Sequence, residues 1–214
     1  MCAALGEQPA PCLHCDKGLL RTNEDEKVQV DPIYRYVTKL PKPIKKLLRL
    51  VTDRYFSKRG YPMMGGLAGC RMVGQLPGTF LNYEPAVTQT ITRVVQPGWT
   101  CVDVGAHVGY FTLLMGKCVG AQGRVVAIEA YPPNAEQLRA NARASGLDGR
   151  VAVENVAVSD GSSGWVNLFA GRRRSSYEWN IVGHDIDGRA TEPEMRVAAT
   201  SLDALFPSGA WVDL

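Results

Sequence analysis

Short apolar segments alternate with longer amphipathic ones between residues 100 and 160. The short segments are bounded by glycine or polar residues and predict buried strands, at about 100–104, 124–129 and 151–155. The longer segments are each followed by a glycine and predict helices, at 108–119 and 134–145. The first of these is expected to bury Phe111, Leu114, Met115 and Cys118. Strand–helix repeats of this length predict an α/β fold, with a parallel sheet covered by helices on both faces. Because crossovers are right-handed, we expect the three strands in the spatial order 3-2-1.

The flanking segments carry weaker patterns. A helix is predicted from Pro85 to about Gln96, with a shared apolar face of Val87, Ile91, Val94 and Val95. Glycines and prolines between residues 60 and 80 indicate turns and a short hairpin, around Cys70–Gln75. Beyond residue 160, strands are predicted at Trp165–Phe169 and Met195–Ala199, then a short helix at 201–206 and a last strand at 211–214.

Polar residues stand at the carboxyl ends of all three central strands: Asp103, Glu129 and Asn155. Ligands bind outside these ends in open α/β sheets. After the first strand the chain turns at Gly105, and the next helix begins near Val108. The glycine lets a ligand approach the backbone, and the helix N-terminus supplies free N–H groups. The arrangement suits a ligand that combines a nucleoside with a charged tail.

Two nucleoside cofactors fit this description. A site for NAD needs glycines spaced G-x-G-x-x-G, but His107 and Tyr110 occupy the second and third glycine positions. The observed pattern is D-x-G-x-x-x-G, which ends at Gly109. Asp103 offers an acceptor for an ammonium group, which S-adenosylmethionine (SAM) has and NAD lacks. SAM is therefore favoured. The alternative is a crossover that binds no ligand, which explains the glycines but not the acids.

The motifs around this turn resemble those of the FkbM-type class I SAM-dependent methyltransferases. The matching residues are Tyr83-Glu84-Pro85, 96–113, Ile128-Glu129-Ala130-Tyr131-Pro132, Asn134, Leu138, Asn141 and 155–160. The resemblance covers roughly residues 72–214 and implies a Rossmann-like class I methyltransferase domain. One departure is His107, which stands where such proteins usually have Asn.

The resemblance also implies how SAM would be held. Asp103 would hold the ammonium of the methionine moiety, and Glu129 would take the ribose hydroxyls. The glycine turn would admit the cofactor close to the backbone, through Gly105, Ala106, His107 and Gly109. The adenine would contact Asn155, Val156 and Asp160. Tyr83 and Glu84 would reach the methionine end; alternatively, Glu84 is only an acid favoured at a helix N-terminus.

The implied reaction is O-methylation of a hydroxyl on a small molecule or sugar. A hydroxyl acceptor needs a base, and His184 and Asp185 are candidates, although a loop histidine is more often a solvent-exposed bystander. Nucleic acid is a weaker option, since aromatic residues are not interleaved with the basic ones. A second hypothesis, from another class, is a non-catalytic SAM- or nucleotide-binding module whose basic helix recruits a partner or a membrane.

The domain is predicted to be incomplete at its C-terminus. Proteins of this type follow the strand beginning at Trp211 with a second acidic motif, and this sequence stops at Leu214. We therefore expect a fragment or a natural short form, and in either case a poor enzyme. The predicted organisation is a disordered leader, a helical and hairpin extension, and a partial SAM-dependent methyltransferase domain, at 1–32, 33–82 and 83–214.

Composition adds few constraints. A net charge of +3 is too mild to argue for nucleic acid, and no segment approaches the ~20 apolar residues of a membrane span. The N-terminus lacks a secretory signal, so a reduced, cytoplasmic setting is expected. Pro43 begins a predicted basic amphipathic helix, which can lie on a membrane but more often covers a core or an interface.

The cysteines give no metal site. Cys12 and Cys15 form half of a zinc or redox signature, but no second pair of ligands follows at a suitable spacing. The alternative is a disordered tail that contains two thiols. Cys101 and Cys118 fall on apolar positions, where we expect buried free thiols.

Overall fold

The computed structural model describes residues 39–44, 46, 54–56, 58–74, 83–170, 179–180, 193–206, 208 and 210–214. The chain divides into two compact units, Met1–Arg54 and Tyr55–Leu214. In the first unit, residues 42–44 and 46 are helical, which agrees with the start of the predicted basic helix. The apolar residues predicted further along its face, at Leu47, Leu48 and Val51, lie outside the described residues. Within the described parts, no helix has the length and apolar character needed to cross a bilayer.

The second unit begins with a small hairpin. Strand β1 (Tyr61–Pro62) pairs antiparallel with β2 (Arg71–Met72), and a 3-10 turn at Gly65–Leu67 lies between them. The hairpin predicted around Cys70–Gln75 is therefore placed too far along the chain. Strand β2 falls inside that range, but its partner is upstream, because the glycine-rich stretch between them forms the connection.

Helix α1 spans Pro85–Val94, close to the prediction, but its buried face differs. Val95 is buried and Ile91 half-buried, as predicted, but Val87 and Val94 are 42% and 41% exposed, whereas Thr88 is 7% exposed. The Thr88 hydroxyl donates to the Tyr83 carbonyl at 2.9 Å and lies 3.1 Å from the Tyr110 hydroxyl. A polar side chain with both partners can be buried at little cost, which the hydrophobic pattern does not reveal.

The central sheet confirms the predicted α/β fold. Strands β3, β4 and β5 are parallel and hydrogen-bonded in that order, at Thr100–Val104, Arg124–Ile128 and Val151–Glu154. This is the predicted order 3-2-1. The register pairs Asp103 with Ala127 and Ile128 with Glu154, so all three strands end at the same edge.

Two helices connect these strands, α2 (Tyr110–Cys118) and α3 (Pro132–Ala144). Helix α2 is buried on most sides, and the predicted core residues Leu114, Met115 and Cys118 are confirmed. Phe111 was also predicted to be buried, but it is only half-buried. It packs instead at the entrance of the helix, with its ring 5.1 Å from that of Tyr110.

A second sheet follows the parallel strands, in the order β6-β9-β7-β8. These strands span Ala157–Val158 (β6), Trp165–Ala170 (β7), Trp179–Asn180 (β8) and Pro193–Thr200 (β9). Strand β6 runs parallel to β9, whereas β7 is antiparallel to both β8 and β9. A small core packs between them, made of Ala157, Leu168, Val197 and Ala199. The strands predicted around residues 165 and 195 are thus confirmed, with slightly longer bounds.

The C-terminal segment contains one confirmed element and one correction. The predicted short helix is present as α4 (Leu202–Leu205), capped by the Ser201 hydroxyl, which accepts from the Ala204 amide at 3.2 Å. Residues 211–214 do not form the predicted strand. The Asp213 amide donates to the Thr100 carbonyl at 2.8 Å, and the Val102 amide donates to the Leu214 carbonyl at 2.7 Å. This segment therefore lies along the edge of β3, with too few bonds for a regular ladder.

Candidate functional site

The turn after β3 uses backbone conformations that few residues adopt. Gly105 and Gly109 have φ values of 78° and 95°, and His107 between them has a φ of 52°. Glycine adopts such left-handed values freely, and histidine tolerates them better than most residues. The amides of Gly105 and Ala106 both donate to the Ile128 carbonyl, at 2.9 and 3.0 Å. The turn is therefore held against the end of β4.

The two glycines serve different purposes. A Cβ atom on Gly105 would meet no atom within 4 Å, so this position presents open backbone surface. A Cβ atom on Gly109 would lie 2.9 Å from the Leu138 Cγ atom, so helix α3 packs directly against the turn here. One glycine leaves room for a ligand, and the other allows close helix packing.

Asp103 lies at the end of β3, where Thr112 Oγ1 donates to its Oδ2 atom at 2.5 Å. Burial raises the pKa of the Asp103 carboxyl, the Thr112 hydrogen bond opposes that shift, and the Glu129 charge adds to it. Neither Thr112 nor Glu129 supplies a positive charge. A cationic ligand group would stabilise the ionised carboxylate.

Glu129 is 8% exposed and directs its carboxylate back toward the turn. Its Oε2 atom accepts from the His107 amide at 2.8 Å, and its Oε1 atom accepts from the Tyr131 amide at 2.9 Å. The Asn134 side-chain amide approaches Oε1 at 3.5 Å. Since two carboxylate oxygens offer about four acceptor directions, capacity remains for a further donor. Glu129 is therefore both a brace for the turn and a possible ligand group.

Asn155 acts on the backbone rather than toward open space. Its side-chain amide donates to the Glu129 carbonyl at 2.8 Å and to the Ala130 carbonyl at 3.2 Å. It thereby holds the segment that carries Glu129. Val156, the next residue, is half-buried, and Asp160 is exposed. The Asp160 carboxylate accepts from the Ser162 amide at 2.9 Å. A hydrogen bond from the Ser162 side chain, and after it this amide bond, lowers the pKa of Asp160.

Tyr83 and Glu84 come directly before α1. The Tyr83 ring packs 4.9 Å from the Tyr110 ring and 5.8 Å from that of Phe111. Glu84 is exposed, has a φ of 38° and does not use its side chain to cap the helix. In the described chain, Glu84 and His107 are the two non-glycine residues with positive φ. Such strain collects at functional sites, so it argues against a mere capping role for Glu84.

The structure brings together most of the predicted site. Asp103, Glu129 and Asn155 stand at one edge of the sheet, as expected from the strand order. Their roles in holding a ligand stay predictions. His184, Asp185, Cys12 and Cys15 lie outside the described residues. Within the described part of the chain, no cluster of His, Cys, Asp and Glu residues could hold a metal ion.

Three residues of the site were not found from the sequence. Thr112 is 0% exposed and holds Asp103, while Asn134 and the Tyr131 amide hold Glu129. Thr112 had one available signal, because it is a polar residue between the apolar residues Phe111 and Leu113. A backbone amide leaves no such signal in a sequence.

The site fits the charge pattern of SAM. Asp103 is an acid whose pKa is raised by burial and which could accept an ammonium group. Gly105 exposes backbone beside it, and Glu129 is the second acid, at the end of the neighbouring strand. An anionic diphosphate would meet two carboxylates here, which disfavours NAD.

Comparisons with known proteins find similarity to protein-isoaspartate methyltransferases. Residues 83–170 match the family model of protein-L-isoaspartate(D-aspartate) O-methyltransferase. A protein-L-isoaspartate O-methyltransferase from Aeropyrum pernix is 44% identical over 69 residues, which cover 32% of this chain and 25% of that protein. Protein-L-isoaspartate O-methyltransferase 1 from Arabidopsis thaliana is 32% identical over 126 residues, covering 56% and 47%. The matched regions thus span between a quarter and half of these relatives.

A solved structure gives a weaker similarity. A SAM-dependent O-methyltransferase from Thermotoga maritima is 25% identical, with a TM-score of 0.35, and the match covers 37% of this chain and 30% of that one.

The comparisons confirm a SAM-dependent methyltransferase domain and correct one prediction. The family match and both curated relatives concern methylation of protein isoaspartate, so the predicted small-molecule or sugar acceptor is wrong. The narrower FkbM-type resemblance stays a prediction, as do the cytoplasmic setting and the domain boundaries.

Proposed function

We propose that this chain carries the SAM-binding part of a methyltransferase that esterifies a carboxylate of an L-isoaspartyl residue in a protein or peptide. The family match over residues 83–170 supports the acceptor class. The assignment of SAM as the cofactor rests on the pair of acids at the ends of β3 and β4, beside the open backbone of Gly105. These acids lie at the edge where open α/β sheets bind ligands.

The chain's residues would divide the cofactor between them by charge. Asp103, held by Thr112, would pair with the ammonium group, and the buried environment would strengthen that pairing. Glu129 would accept from the ribose hydroxyls with its remaining capacity. Asn155 would act through the backbone, by fixing the segment that carries Glu129. When bound, SAM supplies an activated methyl group that an acceptor oxygen takes up, and a neutral thioether is released.

A carboxylate acceptor changes what the protein must provide. A carboxyl group with a pKa of about 4 is already ionised at neutral pH, so no base has to remove a proton. The role of general base that was considered for His184 and Asp185 is therefore not required. Alignment of the acceptor and exclusion of water become the main requirements.

Binding and transfer should be tested separately. Calorimetry would compare SAM, S-adenosylhomocysteine, NAD and ATP on the whole chain. We expect selective binding of the first two, weakened at least about tenfold by Glu129→Ala, because a charge-assisted contact of ~1.5–3 kcal/mol is lost. The matched control is Glu136→Ala, since Glu136 is an exposed acid on α3. Equal affinity for all four ligands, or equal effects of both variants, would refute the assigned pocket.

Transfer is tested with two synthetic peptides that differ only in one L-isoaspartyl or L-aspartyl residue. We expect base-labile methyl label on the first peptide and none on the second. Selective SAM binding without label on either peptide would instead support a non-catalytic SAM-binding module and overturn the proposed activity of this chain.

A further inference from the structure

One face of helix α3 contacts three separate parts of the molecule in register. Residues at successive turns of this face are Asn134, Leu138 and Asn141, followed by Ser145 at the helix end. Asn134 approaches the Glu129 carboxylate at 3.5 Å, and Leu138 packs where Gly109 has no side chain. The spacing of three or four residues keeps all of these side chains on one side.

Asn141 is the point on this face where two segments meet. Its Nδ2 atom donates to the Val108 carbonyl in the glycine turn, at 2.8 Å. Its Oδ1 atom accepts from the Val73 amide just after β2, at 2.7 Å. Asn141 is 0% exposed, so its side chain is shielded from solvent. A single buried side-chain amide thus connects the hairpin region to the turn.

Other side chains hold the same hairpin region without touching the turn. Gln137 Nε2 donates to the Val73 carbonyl at 2.7 Å and to Asn141 Oδ1 at 3.1 Å. The Ser145 hydroxyl accepts from the Arg71 amide at 3.0 Å and donates to the Arg71 carbonyl at 2.8 Å. The hairpin residues in these contacts, Arg71 and Val73, come before residue 83, where the family match begins.

We propose that Asn141 is a positioning residue, which couples the hairpin region of residues 61–73 to the turn of residues 105–109 and so sets the shape of the cofactor site. The inference rests on the proposed function for the role of that turn. A residue that only filled the core would not need a donor and an acceptor directed at different segments. Leucine would fill similar space but leave a buried amide and a buried carbonyl unsatisfied.

The first experiment needs no cofactor. Amide hydrogen exchange on the ligand-free chain would compare wild type with Gln137→Met and Ser145→Ala. Gln137→Met removes a donor that orients Asn141, at a half-buried position that tolerates the change. Loss of one such bond corresponds to exchange about fivefold faster, and we expect it at the Gly105, Ala106 and Gly109 amides.

Ser145→Ala is the matched control, because it frees the same hairpin region from α3 but leaves Asn141 in place. We expect faster exchange near Arg71 and unchanged exchange in the turn. Equal acceleration of the turn by both variants, or by neither, would overturn the proposal. A variant of Asn141 itself, Asn141→Ser, should accelerate both regions together if it folds.

The second measurement distinguishes this inference from the proposed function. If S-adenosylhomocysteine binds, the Val73 amide should exchange more slowly in the complex, since coupling between two sites is reciprocal. Binding without slower exchange at Val73 would overturn the coupling while the proposed function stands. Absence of binding would count against the proposed function, while the ligand-free comparison still decides the role of Asn141.

Discussion

Replacement of Glu129 by glutamine tests how the turn and the neighbouring strand are held together. Glu129→Gln keeps the shape of the side chain but removes its charge and one of its acceptor oxygens. The remaining oxygen can serve the Tyr131 amide, now 2.9 Å from Oε1. The new NH₂ group would then face the His107 amide, 2.8 Å from the present Oε2 atom, so two donors oppose each other.

The magnitude follows from these contacts. Loss of a hydrogen bond to a charged group costs ~1.5–3 kcal/mol, and relief of the repulsion between Glu129 and Asp103 offsets part of that cost. We expect a net destabilisation of about 2 kcal/mol, which corresponds to a fall in Tm of roughly 4–8 °C for a chain of this size. The pKa of Asp103 should also fall, because the Glu129 charge contributes to its upward shift.

Thermal and urea unfolding, followed by circular dichroism, would measure the first effect, and carboxyl NMR titration the second. Glu136→Gln makes the same chemical change at an exposed site on the same helix as Asn134. It should leave stability within ~0.5 kcal/mol of wild type, as surface substitutions usually do. If Glu129→Gln were as mild as Glu136→Gln, the view that this carboxylate braces the turn would be wrong.

Further substitutions test other parts of the site. Because the pKa of Asp103 is higher in the folded state, ionisation of Asp103 lowers stability as the pH rises from the unfolded-state pKa through the folded-state pKa. Asp103→Asn should therefore raise the unfolding free energy at pH 7 but not below pH 3. Urea titrations at both pH values would measure this difference. Gly109→Ala should destabilise the protein by about 2–4 kcal/mol, because the added methyl group would clash with Leu138 and alanine disfavours the positive φ. Gly146→Ala, at a φ of 67° but in open space, should cost only about 1–2 kcal/mol. Similar urea midpoints for the two variants would contradict the close packing at Gly109. Burial raises the pKa of Cys101 to about 11, so at pH 8 only about one thiol in a thousand is ionised, and mass spectrometry should find Cys101 alkylated after unfolding but not before.

One error in the sequence predictions concerns the buried face of helix α1. Helix α1 was placed correctly along the chain, and Val95 at its end is buried as predicted, but Val87 and Val94 are exposed and Thr88 is the residue within the helix that packs inward. Thr88 can be buried because the Tyr110 hydroxyl lies 3.1 Å from its own. A hydrophobic pattern treats a polar side chain as solvent-exposed and has no means of representing a partner more than 20 residues away.

The acceptor was misassigned for a different reason. The fold and the cofactor were predicted from local motifs at the strand ends, and a fold with its cofactor site does not identify the acceptor. The isoaspartate assignment came from the similarity of residues 83–170 to a family model, not from any one residue that contacts an acceptor.

The sequence by itself determined the parallel sheet, the order of its strands and the edge where Asp103 and Glu129 meet. These features depend on local patterns of apolar residues and glycine turns, which successive residues carry directly. Only the tertiary structure decided that Thr112 holds Asp103, that backbone amides hold Glu129, and that Asn141 connects Val73 to Val108. Those bonds join residues that become neighbours only when the chain is packed, so the order of residues along the sequence does not reveal them.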